Sequence, residues 1–326
     1  MPITDALPGP LQYLGIIKEV TPGTPLNPSY FLTPKTITPK DDPKKVDIPG
    51  LRGSMTEVYA VVPTIISSTV SFDSDFYPDT DGFPLLGILS DITETGTAAP
   101  YTHTASLLNA APGQPHTYTL TMGWGATNAR QRAFCVWDTV NLTFTASGVL
   151  GMSASATGFG SQEVAPTAPT VSTVFPTPAW VGTATLFGTQ IYTVFDGNLQ
   201  IKRQAIPVEV LNGTQVPGSI YGGTVAVTGK LSFVADAADT EQVAFLADTQ
   251  GPLVLNFTQG TGATEVSLNL QMSLIDLKTY QLGVEQDYMK GDIEFTAIAN
   301  TTDAGASGGE SPIKVTLINA VPTGIY

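Results

Sequence analysis

Histidine, cysteine and charge are all scarce in this chain, and each scarcity closes off a class of function. There are two His, His103 and His116. Both lie in proline-containing stretches and read as surface loop residues. A catalytic triad or a zinc site needs His beside a nucleophile or beside further ligands at suitable spacing, and neither has that setting. The one Cys, Cys135, rules out an intramolecular disulfide framework. It sits in Ala133-Phe134-Cys135-Val136-Trp137, an apolar strand-like run, and reads as a buried thiol. Lys and Arg number 14 against 28 Asp and Glu, a formal net charge of −14. That argues against a surface built to neutralise DNA phosphates, which needs clustered Lys and Arg. It does not exclude a wall that DNA must pass without sticking, because like charge repels. No run long and apolar enough for a membrane span occurs, and the first residues carry no secretory pattern. No membrane partner is expected, and synthesis in the cytoplasm is.

What fills the space left by charge is neutral and polar. Charged residues are 13% of the chain, about half the usual ~25%. Thr, Ser, Asn and Gln replace them, with 32 Gly and 25 Pro as punctuation. This composition favours strands joined by turns. Neutral polar faces also suit surfaces that end against other subunits, where Lys and Glu are costly to order and desolvate.

Period-two alternation then locates the strands. Ile66, Ser68, Val70 and Phe72 share one face, with Ser67, Thr69, Ser71 and Asp73 opposite. Val140-Leu142-Phe144 alternate, Ser147-Gly148 turns the chain, and Leu150-Met152-Ala154-Ala156 returns it. Between these, residues 91–116 read as a polar excursion. The order repeats in the second half. Val70-Ser71-Phe72, Asp79-Thr80-Asp81 and Phe83–Leu89 are echoed by Leu231-Ser232-Phe233, Asp239-Thr240-Glu241 and Val243–Leu246. Each copy reads as a strand, a side-chain-capped helix start and a short apolar helix. A Pro/Thr-rich stretch, 163–179, reads as a linker. The expected organisation is mainly β: one β-sandwich or barrel domain over 1–162, the linker, and a second over 180–326, each with a short flanking α-helix.

Residues 35–54 read as a long loop, because Pro34, Pro39, Pro43 and Pro49 oppose regular structure. Five of the chain's 14 basic residues fall within 35–52. Such a loop suggests an arm reaching an acidic neighbour. No catalytic constellation emerges. Gly305-Ala306-Ser307-Gly308-Gly309 matches the nucleophile-elbow pattern in letters only, since that elbow needs a strand before and a helix after. Ser307 reads as part of a flexible hairpin loop. Asp73, Asp75, Asp79 and Asp81 lack the spacing of the twelve-residue calcium loop. No enzyme activity, metal or cofactor is expected.

The stretch from Thr38 to Asp91 resembles the tail tube (major tail) proteins of long-tailed bacteriophages. The residues that carry the resemblance are Pro39–Pro43, Gly50–Met55, Val58-Tyr59, Phe76–Thr80 and Gly82–Gly87, with a later echo at Ala156–Phe159. The resemblance implies a structural virion protein of the tail, assembled in the host cytoplasm. Its sheets would join across subunits around a channel, and its rings would stack into the tube through which DNA is ejected. Two tube domains in one chain imply homotrimeric, pseudo-hexameric rings, with a homohexamer as the alternative. A tail terminator, a head decoration protein or a surface adhesin module are the competing readings. Tape-measure and tail terminator proteins are the implied partners, and DNA would transit without specific binding. Lys35, Lys40, Asp41, Asp42, Lys44, Lys45 and Arg52 would form the inter-ring loop. Thr69, Ser71, Asp73, Thr228, Lys230, Ser232, Asp292 and Glu294 are the lumen candidates.

Overall fold

The computed structural model describes residues 9–110, 113–125, 128–236, 240–285 and 287–326. The first half contains β1 (Gln12–Lys18), β2 (Tyr30–Leu32), β3 (Pro34–Pro49), β4 (Val58–Asp75), α1 (Gly82–Gly87), β5 (Ser90–Thr95), β6 (Tyr101–Leu107), β7 (Tyr118–Trp124), β8 (Asn128–Thr145), β9 (Gly151–Phe159) and β10 (Gln162–Val164). The second contains β11 (Gly182–Leu186), β12 (Thr189–Ile191), β13 (Val194–Val208), β14 (Ser219–Val234), α2 (Thr240–Leu246), β15 (Gly251–Gln259), β16 (Val266–Glu285), β17 (Tyr288–Ala297) and β18 (Lys314–Asn319). The protein is mainly β and every strand pairing is antiparallel.

The two halves pair their strands in the same order. In the first half the order is β2-β1-β7-β8-β9-β4-β3. In the second it is β12-β11-β15-β16-β17-β14-β13. The long strands β8 and β16 each run through both layers of their half. β8 pairs with β7 up to Cys135 and with β9 from Val136 onward. The corner between them is Phe134, a non-glycine residue at φ +53°. Its strain is offset by a buried carboxylate: Glu19 accepts from the N–H of Phe134 at 2.9 Å, the N–H of Gly23 at 2.7 Å, and the hydroxyls of Thr117 and Thr119 at 2.7 and 2.9 Å.

The halves are welded rather than tethered. β13 pairs with β8 from Thr139↔Lys202 to Thr145↔Asp196. β18 pairs with β6 of the first half and β16 of the second. One apolar core runs through both halves, from Leu14 and Trp137 to Leu231 and Phe295. Arg203 of β13 reaches back to donate to the carbonyl oxygens of Ile88 at 3.0 Å and Gly113 at 3.1 Å, and its burial lowers its pKa to about 10. The linker stretch is laid against the first half: Thr177 exchanges backbone hydrogen bonds with Phe76 and Leu150, and Pro178 bridges to Val149.

Several sequence expectations give way here. Residues 35–49 are a strand, not a loop. Among the described residues β3 is an edge strand paired to β4 alone, so its prolines interrupt no second ladder. The 91–116 excursion contains the β5–β6 hairpin, which together with β18 covers α1 and leaves all six of its residues buried. The second half has no such insertion before β15, and α2 keeps Val243 and Leu246 exposed. The side-chain cap is absent at α1. Asp81 stands at the N-cap position, but its carboxylate turns backward to accept from the N–H of Tyr77 at 2.7 Å. Asp239, the corresponding cap expected for α2, lies outside the described residues. His103 is fully buried on β6, bonded to Glu94 at 2.8 Å and the Val321 carbonyl at 3.0 Å, so it is not a loop residue. His116 is half-buried, and its burial lowers its pKa. Ser307 is pinned rather than flexible: its N–H and hydroxyl both donate to Asp91, at 2.8 and 2.7 Å. Its loop joins β17 to β18 across β16 and is no hairpin. Cys135 is buried as expected, with its thiol pKa pushed up to about 12 by desolvation.

Asp81 supports a pH prediction. Burial raises its pKa well above the usual carboxylate value. A raised folded-state pKa means the stabilising protonated form is complete below the unfolded value near 4 and is lost as pH rises through the folded value. Asp81→Asn keeps an acceptor for Tyr77 and removes the buried charge. The variant should melt above the parent at pH 7, and the gap should close by about pH 3, near and below the unfolded pKa. A melting-temperature series across that range checks it. An unchanged gap would mean the benefit is not one of charge.

Candidate functional site

The seam between β8 and β13 joins two four-stranded units into one eight-stranded sheet, ordered β3-β4-β9-β8-β13-β14-β17-β16. One face of it is the apolar core. The other is polar, because side chains alternate at every strand. All eight lumen candidates fall on this second face. Thr69, Ser71 and Asp73 are exposed on β4, Thr228 on β14 and Glu294 on β17, with Lys230 and Asp292 half-buried. Ser232 is the exception. It lies on the face but is buried, and its hydroxyl donates to Asp292 at 2.5 Å.

The face is not uniformly acidic. Asp292 is flanked by Lys230 at 3.6 Å and Lys290 at 3.5 Å. Burial opposes its ionisation, but the Ser232 hydroxyl and the two ammonium groups outweigh burial and hold the carboxyl below its usual pKa. The lysines here therefore face carboxylates rather than open solvent alone. A shallow groove of about 370 Å³ runs from the seam across the second unit, lined by Asn141 of β8, Asn198 and Gln200 of β13, Thr228 and Lys230 of β14, Lys278 of β16 and Glu294 of β17. The amides from β8 and β13 escaped the sequence reading. The signal was present: Thr139, Asn141 and Thr143 alternate with Val140, Leu142 and Phe144. What was missing was the knowledge that β8 and β13 adjoin.

Two hairpin arms leave the same end of this sheet, since β3 and β13 run in the same direction through four antiparallel steps. The longer arm is β3–β4, whose outer part pairs Lys45–Pro49 with Val58–Pro63. The shorter is the end of β13 and start of β14. They touch through Lys44 with Glu209, and through the N–H of Ile66 donating to the Gln215 carbonyl at 2.8 Å. Both arms expose apolar side chains. Leu51 and Met55 at one tip and Leu211 at the other are fully exposed.

The residues expected in an inter-ring loop divide between base and tip. Lys35 pairs with Asp75 at 2.5 Å. Asp41 anchors the base: it accepts from the N–H and hydroxyl of Ser161 at 2.9 and 2.7 Å and pairs with Arg132 at 3.2 Å. Burial would raise its pKa, but those partners lower it overall. Lys40 and Asp42 stand 4.0 Å apart on the polar face, and Lys44 holds the second arm. Only Lys45 and Arg52 belong to the outer arm, with Arg52 lying 4.9 Å over the ring of Tyr59. The second arm was legible only as the turn signals Asn212-Gly213 and Pro217-Gly218. Among the described residues no group of three or more His, Cys, Asp or Glu is placed to hold a metal ion.

Two comparisons with known proteins bear on these surfaces. Residues 9–309 match a family model described as phage tail tube protein. No curated protein matches the chain.

Proposed function

The chain belongs to the phage tail tube protein family, a structural component of the virion tail, and from that premise we propose that three copies form a pseudo-six-fold ring whose polar sheet face lines the DNA conduit. Each half, 1–162 and 180–326, acts as one tube domain. The two arms project toward the next ring. The observation that carries this reading is the eight-stranded sheet: two units with the same strand order, fused at the β8–β13 seam, with one continuous polar face. A sheet with open edges is an aggregation hazard in a monomer and an assembly device in a ring. The mixed, internally paired charges on the face suit passage of a polyanion. They offer DNA few unpaired cations, and so little counterion release.

Negative-stain electron microscopy of the purified protein, with rotational averaging of end-on views, tests the reading. Hollow tubes or rings with a six-fold outline and three chains per ring support it. Six chains per ring would retain the tube but remove the pseudo-symmetric ring. A protein that stays monomeric at high concentration would oppose the reading.

The lining can be tested separately. Asp73→Lys together with Glu294→Lys adds two cations per chain to the polar face and removes two anions. Tubes should still form, because both side chains are exposed and the fold loses only one exposed hydrogen bond, from the Thr36 hydroxyl to Asp73 at 2.8 Å. DNA ejection from reconstituted particles should slow severalfold, read from the rate at which a DNA-binding dye gains fluorescence. Unchanged ejection would remove these positions from the lining.

A further inference from the structure

The internal seam is a template for the seam between chains. We infer that β3 of one copy pairs antiparallel with the outer part of β16 of a second copy, in the register that β13 and β8 use within the chain. The inference rests on the ring reading above, and supplies the residues that close the ring.

The register shifts of the two halves coincide, and this aligns them strand by strand. Trp137/Thr139 of β8 matches Leu277/Thr279 of β16, and Pro34/Thr36 and Pro43/Lys45 of β3 match Val194/Asp196 and Arg203/Ala205 of β13. The alignment sets Val140, Asn141, Leu142 and Thr143 of β8 against Tyr280, Gln281, Leu282 and Gly283 of β16. It likewise sets Asn198 and Gln200 of β13 against Thr38 and Lys40 of β3. Within the chain, Asn141 opposes Gln200 and Thr143 opposes Asn198. The corresponding pairs between copies are Gln281 with Lys40, and Gly283 with Thr38.

Two observations point to a missing strand at this place. Among the described residues, β3 pairs only with β4, and residues 276–285 of β16 pair only with β17. Both are therefore open edges, at opposite ends of one sheet. Leu142 and Phe144, which β13 covers, are 1% and 8% exposed, whereas their counterparts Leu282 and Val284 are 39% and 74% exposed. Apolar side chains in the same position of the same fold are buried in one half and bare in the other. The difference is the adjoining strand. An end-to-end closure of this kind is heterologous, so it yields a ring only if the rotation closes.

The test is a disulfide across the inferred pair. Directly opposed strand residues have Cα atoms about 4.5–5.5 Å apart, within the range a disulfide bridges. Thr38→Cys combined with Gly283→Cys should therefore link copies on mild oxidation. A Cβ at Gly283 meets open space, and Thr38 is exposed, so both changes leave the fold intact. The native Cys135 is buried and contributes no background. On a reducing-agent-free denaturing gel, the expected product is a closed trimer with no free ends. A control pair displaced by two residues, Lys40→Cys with Gly283→Cys, should link far less. Tubes that assemble normally, yet show no link from the matched pair or equal linking from both pairs, would overturn this register and leave the tube reading standing. Absence of rings in the reduced, folded variant and in the parent protein would overturn both. If the double variant does not fold, Lys40→Cys with Gln281→Cys makes the same measurement at the adjacent matched pair.

Discussion

A variant in which a two-residue Asn-Gly turn replaces residues 46–62 is expected to stay folded and close into rings, but not to stack them into tubes. Beyond the Lys45↔Pro63 pair the long arm is a two-stranded ribbon with no third strand beside it among the described residues. A ribbon of that kind is marginal by itself, so its removal costs the remaining fold little. Asn-Gly supplies the positive φ angles that a two-residue hairpin needs. What the variant loses is adhesive surface. Val46, Leu51, Met55, Val61 and Val62 are all exposed apolar side chains on this arm. Burying each against a neighbouring ring is worth roughly 1.5–3 kcal/mol before ordering costs, and the loss recurs at every copy in the ring. The melting temperature should move by only a few degrees, since ~1 kcal/mol shifts a mid-sized domain by about 2–4 °C. Tubes should disappear from micrographs. Tubes of ordinary length would remove the arm from stacking.

Glu19→Ala should have the largest effect on stability. Four donors converge on this buried carboxylate: the N–H groups of Gly23 and Phe134 and the hydroxyls of Thr117 and Thr119. Truncation leaves at least the two backbone donors without a partner. Each unsatisfied buried group costs about 1–3 kcal/mol, so a loss of roughly 3–6 kcal/mol is expected from chemical denaturation. Phe134 adds to it, because its left-handed backbone is held in place partly by that bond. Glu19→Gln should lose less, as it keeps one carbonyl acceptor and the threonine hydroxyls can reverse. Equal losses from the two variants would indicate that side-chain volume, not hydrogen bonding, sets the cost.

These two residues sets show where sequence reading stops. Glu19 follows an apolar strand and carries no pattern that marks it; its four partners come from three places in the chain. The arm was visible as a basic, proline-rich stretch, but its strand character was not. Proline in a strand is tolerated only at an edge, and which strand is an edge depends on every other pairing in the sheet. His103 illustrates the same limit, since its loop-like neighbours gave no sign that β18 and the 320–326 segment would cover it.

The sequence by itself determined the class of the fold, the alternation that gives each strand an apolar and a polar face, and the order that repeats between the halves. These depend on local periodicity, which survives in a single chain read from end to end. The single cysteine also excluded an intramolecular disulfide framework. Only the tertiary structure decided that β13 adjoins β8, that eight polar positions from three strands share one face, and that α1 is buried while α2 is not. Each of those is a pairing between segments distant in sequence. Such pairings are chosen by complementarity of whole edges and faces, which no local stretch records.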